Sequence, residues 1–318
     1  MTWLTWRLHR TEAAIGILLF TGLILTMVFG MRSVDTAYHA ALNGGCFGSS
    51  ENPLCGEKLT DYFNRSSAWD RLTTLLHGIP IAVAALVAIP TLHELERGTH
   101  RLAWTQSVSR RRWTLSRIGF AVGIATLVAV IWAFWAERWR EAILRIDGPS
   151  FGLNAFALFP AVLIGYILFA VALVLAAAVV VRRLVPALGL LAVGFVGSRI
   201  FTSFVLRERY RSPIEETSVD GFNARYDNSW FVDESWLNRA GDRISWNQVD
   251  QTCFLGTSGQ YSDTAYQQCL TDNGLRYFLA YHPIDRFYQF QAIETALYLG
   301  LAAGLLAFAY WWLTRRSA

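Results

Sequence analysis

Arg199, Glu294 and His77 each interrupt an otherwise apolar stretch of this chain. An ionisable group in hydrocarbon costs about 2.5–3.5 kcal/mol on insertion scales, so such groups pair with one another or face water. Arg199 lies about seven residues from one end of its apolar stretch, roughly 10 Å deep at 1.5 Å per residue. Glu294 lies about four residues into the last stretch and His77 about six into the second, so all three fall at similar depth. Arg199 with Glu294 is the natural pair. Two readings follow: the wall or gate of a polar path, or a structural ion pair with arginine snorkelling outward.

Other chemistries fail on spacing. His93-Glu94 would need a histidine at position 97 for a zinc-protease helix, and Arg97 stands there. The remaining histidines, His9, His39, His100 and His282, are scattered and make no metal-ligand set with His77 and His93, so no metal site is expected. No G-x-S-x-G elbow is present, and Asp and Glu are too dispersed to nominate an acid/base pair. Lys58 is the only lysine, and it follows Glu57 and precedes Leu59, so it cannot serve a phosphate-binding P-loop. The chain is therefore expected to be neither an enzyme nor the holder of a cofactor. Its net charge of +4 comes from arginines whose placement follows topology, which argues against nucleic-acid binding.

The positioning elements are long apolar helices. With 53% apolar and only 16% charged residues, the 318-residue chain is too hydrophobic for a soluble globule. A helix needs about 20 mainly apolar residues to cross a bilayer. Six segments qualify: Thr11–Met31, Leu72–Leu92, Ile118–Ala136, Leu153–Val181, Leu184–Leu206 and Phe290–Leu313. The first is too long for a cleaved signal peptide, and Phe29-Gly30-Met31 is a poor cleavage site. An inside N-terminus would put Arg7, Arg10, Arg97, Arg101, Arg110, Arg111, Arg112, Arg117, Arg182, Arg183, Arg315 and Arg316 in the cytoplasm. The short opposite loops hold fewer bases, so both termini are expected inside.

All four cysteines then fall outside, which suits an oxidising compartment. Three pairings are possible; Cys46–Cys55 and Cys253–Cys269 are preferred because each closes a short local loop. Region 207–289 carries 12 acids against 8 arginines and many aromatic residues, which predicts a small folded extracellular domain stapled by Cys253–Cys269. Segment 32–71 reads as an outer loop. Met1–His9 reads as an interfacial helix or a juxtamembrane anchor. Pro80 and Pro90 should kink the second span, the overlong fourth should tilt, kink or begin in the interface, and Arg182-Arg183 leaves room only for a tight hairpin. The fold class is thus an all-α polytopic membrane protein with six spans. Its organisation is 1–206 with spans one to five and the cytoplasmic loop 93–117, then the extracellular domain 207–289, then span six and a short tail, 290–318.

The most ordered polar loop is His93–Trp113, HELERGTHRLAWTQSVSRRRW. Glu94 can reach Arg97 or Thr99, Gly98 permits a chain turn, and Leu95, Leu102, Val108, Trp104 and Trp113 are anchors. Arg110-Arg111-Arg112 precedes Trp113 at the level of anionic headgroups. A solvated positive-inside loop would explain the arginines equally well.

ELERGTHRLAWTQSVSRRRW resembles the coupling-helix region of ATP-binding-cassette permeases of the second exporter class (ABC-2 type), particularly actinobacterial ones. Tyr281–Leu299, YHPIDRFYQFQAIETALYL, is similar to their entry to span six. The resemblance implies a bacterial plasma-membrane permease subunit without ATPase machinery of its own. It implies a separate ATPase partner carrying ATP and Mg²⁺, and a second permease copy, identical or related, in the lipid bilayer. Carried over to this sequence, Glu94, Glu96, Gly98, Thr99 and Arg101 would shape and cap the docking helix, while Leu102, Trp104, Gln106 and Val108 would supply its contact face. The polar head is shorter than in many relatives. The rival expectation is a membrane receptor or immunity protein that binds an extracellular ligand through 207–289.

Overall fold

The computed structural model describes residues 2–47, 53–98, 109–143, 145, 150–218, 228–254 and 263–315. It comprises two compact units, one of residues 1–148, 152–202 and 291–318, the other of 149–151 and 203–290.

The first unit is helical. Its elements are α1 (Thr2–Asn43), α2 (Pro53–Leu76), α3 (Ile79–Glu96), α4 (Arg110–Ile143), the short α5 (Leu153–Ala157), α6 (Pro160–Val181), α7 (Leu184–Phe201) and α10 (Phe287–Arg315), whose first four residues belong to the second unit. Among the described residues, six helical stretches are long and apolar enough to cross a bilayer: Ala14–Asn43, Leu54–Glu96, Arg110–Ile143, Pro160–Val181, Leu184–Arg209 and Ile284–Arg315. Helix α6 is apolar all round and correspondingly central: fifteen of its residues, from Val162 to Val179, are buried, and it packs against α3, α4 and α7. The outer helices keep large apolar side chains exposed, Leu18 at 73% and Val193 at 75%, as a lipid-facing surface requires.

Helix boundaries follow local chemistry. Phe159 is extended (ψ 135°) because the Pro160 ring disfavours the α region before it, and Pro160 then opens α6. The overlong fourth stretch is therefore divided: the short α5 precedes α6, and it is Pro160–Val181 that is long and apolar enough to cross a bilayer. Helix α6 ends at Arg182, which adopts a left-handed backbone (φ 54°) and returns its amide to Ala178, so two residues suffice to start α7. The second stretch breaks at His77-Gly78, just before Pro80. Pro90 lies inside α3 and is buried there.

The expectation of a loop over 32–71 is corrected. Helix α1 runs on to Asn43 and α2 starts at Pro53, joined across the Cys46–Cys55 disulfide. Hydropathy marks where a helix leaves hydrocarbon, not where it ends. TAYHAALN carries three alanines and a leucine and no Gly or Pro to stop the helix before Gly44.

The second unit corrects the all-α expectation. Among its described residues it holds a four-stranded antiparallel sheet, order β1-β4-β2-β3, built from β1 (Ile214–Ser218), β2 (Trp230–Leu237), β3 (Arg243–Ile244) and β4 (Arg276–His282). WFVDESWL and RYFLAYH are rich in aromatic residues, which suit a pleated, half-buried surface. Register places Trp236 opposite Tyr277 and Ile214 opposite Tyr281, with an irregularity between Phe231 and Asp233. Helices α8 (Trp246–Val249) and α9 (Asp263–Asn273) complete the unit. Ser245 opens α8 with a reciprocal capping box to Gln248. Trp236, Val249, Cys253, Leu270, Tyr277 and Leu279 form the core, and the Cys253–Cys269 disulfide runs through it.

Candidate functional site

Glu294 on α10 is wholly buried inside the first unit. Three features of the local sequence bring it there. Gln291, Glu294 and Tyr298 recur at helical spacing and share one face of α10. Gly165 on α6 offers no side chain, and a Cβ built on it would meet the Tyr298 Cβ at 3.4 Å and the Thr295 carbonyl at 3.5 Å. A buried Gln291 ties the same face to α5, its amide donating to the Phe156 carbonyl at 2.9 Å.

Arg199 on α7 meets this face. Its Nη1 donates to Glu294 Oε1 at 3.0 Å. Tyr166 on α6 stands between them: its hydroxyl donates to Glu294 and accepts from Arg199. The Arg199 guanidinium also lies over the Tyr166 ring, 3.8 Å from its centroid. The Tyr298 ring meets Tyr166 edge-on at 4.7 Å, and its hydroxyl donates to Thr202 at 3.1 Å. Thr202 starts a π-helical turn, Thr202–Leu206, that ends the regular helix of α7. The result is a neutralised, hydrogen-bonded cluster tying three helices within the apolar zone. Breaking such a pair from one side leaves an uncompensated buried charge.

The structure thus pairs two of the three intramembrane candidates and gives the third a different hydrogen-bond partner. His77, at the α2–α3 break, hydrogen-bonds through Nε2 to Asn154 at 3.0 Å. Tyr166, Tyr298, Thr202 and Asn154 escaped the sequence reading. Tyr166 had a usable signal, since it carries the only polar side-chain group in PAVLIGYILFAVALVLAAAVVV.

At the other end of the bundle, α3 stops at Glu96 and Gly98 follows with φ +69°, a conformation that favours glycine. Glu96 and Arg97 are exposed and Leu95 is buried. Glu94 forms an ion pair with Arg117, one helix on, a partner the sequence reading did not name; of the two partners it did name, Thr99 lies outside the described residues. Ser109 opens α4, its hydroxyl accepting from the Arg112 amide at 3.3 Å. Arg110 is the first residue of α4, and Trp113, one turn in, is buried beneath Arg117. Thr99, Arg101, Leu102, Trp104, Gln106 and Val108 lie outside the described residues.

Among the described residues no cluster of His, Cys, Asp or Glu could hold a metal ion. The profile of the family described as ABC-2 membrane transporter related matches residues 15–207, more than half of the chain. The chain belongs to that family. Neither the curated proteins nor the solved structures contain a match. As an ABC-2 permease subunit, the chain is a multi-pass membrane component of a transporter. The matched stretch includes His77, Tyr166 and Arg199, whereas Glu294 and most of the sheet-bearing unit lie beyond it.

Proposed function

We propose that this permease subunit is half of an exporter driven by a separate ATPase subunit. The partner binds ATP and Mg²⁺ and docks on the turn after α3. Two permease copies, identical or related, enclose the path in a bacterial plasma membrane. Both termini are cytoplasmic, and the sheet-bearing unit lies outside, where its disulfide and the Cys46–Cys55 bridge suit an oxidising compartment. The observation that carries this reading is the family match across the first five spans.

Coupling needs a two-state element whose equilibrium both sites bias. Helix α3 suits that role: its tip carries exposed Glu96, its Glu94 is tied to α4 through Arg117, and its body lies on the central α6. Force applied at the tip of α3 therefore reaches α4 and α6 together. At the opposite end of α6, the Arg199–Tyr166–Glu294 cluster serves as the gate.

The test is co-purification with an ABC ATPase subunit co-expressed with this permease. Glu96→Arg should remove association while membrane insertion persists. Glu94→Arg should weaken it through the lost Arg117 pair, and Arg117→Glu added to it should restore it. Undiminished association of Glu96→Arg would overturn docking at this turn.

A further inference from the structure

An open groove of about 430 Å³ separates α1 from α4 at the end of α1 distal to its N-terminus. It lies within the size range of ligand sites. Its lining changes character along its length. Val28 and Met31 on α1 face Phe134 and Trp135 on α4, and one turn further along come Arg32, Asp35, Arg138, Glu141 and Arg145.

The charges of that second band do not cancel. Arg145 is committed to Asp35 at 2.7 Å, and its guanidinium covers the Tyr38 ring. Arg138 reaches Glu141 only at 3.7 Å, with both side chains more than half exposed, while its guanidinium rests over Phe134. Arg32 is exposed and makes no ion pair among the described residues. Three guanidiniums against two carboxylates leave one positive charge, concentrated on Arg32 and Arg138. These two lie where the apolar runs of α1 and α4 give way to charge, at the level of lipid headgroups.

The geometry points to a binding site for a singly anionic phospholipid in this groove. Its phosphate is held between Arg32 and Arg138, and its acyl chains lie over Val28, Met31, Phe134 and Trp135. Guanidinium forks match phosphate oxygens, and a single phosphodiester charge equals the excess. The lipid itself, rather than a free anion, is the occupant because the groove floor runs without interruption into lipid-facing side chains. Leu25, Leu127 and Ile131, further along the same helices, are 64, 62 and 40% exposed. This assignment rests on the bundle alone and is independent of the exporter reading.

The full-length chain, reconstituted with phosphatidylglycerol bearing a photoactivatable acyl chain, provides the test. Peptide mapping should place the label on 28–35 and 134–142, at higher yield than with the matching phosphatidylcholine. Arg32→Gln/Arg138→Gln should cut that labelling about tenfold, the size of one charge-assisted hydrogen bond. Val28→Trp, which blocks the floor and leaves every charge in place, should do the same if the double variant folds poorly. Arg211→Gln/Arg276→Gln, which removes two exposed guanidiniums elsewhere, should leave it unchanged. Equal labelling by the two lipids, wild-type labelling in both groove variants, or displacement of the lipid by millimolar inorganic phosphate would overturn the assignment.

Discussion

The Trp139 indole donates a 2.9 Å hydrogen bond to the Thr73 hydroxyl, with both side chains wholly buried between α4 and α2. Trp139 also meets Trp69 edge-on at 6.2 Å, and Gly30 of α1 fits against this pair. A Cβ on Gly30 would stand 2.8 Å from the Trp69 ring. Gly30→Ala should therefore destabilise the detergent-solubilised protein by about 1–3 kcal/mol, the usual cost of overpacking. Trp139→Phe should cost a similar ~1–3 kcal/mol by orphaning a buried hydroxyl, and Thr73→Val added to it should recover part of the loss. Thermal unfolding followed by near-ultraviolet circular dichroism checks all three.

The intramembrane pair makes a second prediction. Arg199→Gln or Glu294→Gln alone should cost about 3–5 kcal/mol, because each leaves a charge buried without its counter-ion. Tyr166→Phe should cost less, since the 3.0 Å ion pair survives it. The swap Arg199→Glu with Glu294→Arg should regain part of what either reversal loses. Unfolding midpoints no better in the swap than in the single reversals would show that direct pairing is not what the cluster contributes.

The two disulfides should differ in weight. Cys253–Cys269 spans 16 positions and is embedded in the sheet unit's core, whereas Cys46–Cys55 spans 9 and joins two helices that already face each other. Loop-closure entropy assigns the longer bridge about 3 kcal/mol. Cys253→Ser/Cys269→Ser should accordingly lower the unfolding temperature more than Cys46→Ser/Cys55→Ser. Differential scanning calorimetry of the two double variants decides the order.

His282 makes the sheet unit acid-sensitive. Burial, and then the Arg286 charge beside it, hold its imidazole below the ordinary value of 6.5, with the Glu208 carbonyl acting in the opposite sense. Its Nδ1 lies 3.3 Å from Arg286, and its ring packs against Phe290 at 4.9 Å and Trp230 at 5.5 Å. A lowered folded value means that the unfolded chain takes up the proton first. The stabilisation is therefore complete above pH 6.5 and is lost as pH falls below it. Melting temperatures measured from pH 7.5 to 5 should decline in the wild type and hold nearly level in His282→Phe, apart from contributions of ordinary carboxylates.

How much of this was legible in the residues depends on the range of the interaction concerned. The six spans could be read because hydrophobic transfer sums over about 20 consecutive positions. The two disulfides could be read because short loops favour local closure. Arg199 and Glu294 stood out because charges are rare in such surroundings. The partner of Glu94 could not be read this way: Arg117 lies 23 positions on and comes within reach only because α3 and α4 cross there. Tyr166 was within reach as the lone polar group of its span, but its partners were not, since Glu294 and Arg199 lie 128 and 33 positions away on other helices. The sheet was missed for a different reason. Region 207–289 was judged on composition, and neither WFVDESWL nor RYFLAYH alternates apolar with polar residues, so a period of two was not there to be read and only their aromatic content marked them.

The two-residue connection at Arg182 has a further mechanical meaning. Tyr166 and Arg199 each stand about 15 residues from that turn, so α6 and α7 resemble tweezers joined at one end with their tips roughly 22 Å away. A splay of only about 5° at the joint parts the tips by roughly 2 Å. That is enough to pull apart contacts of hydrogen-bond length while hardly disturbing the packing beside the joint.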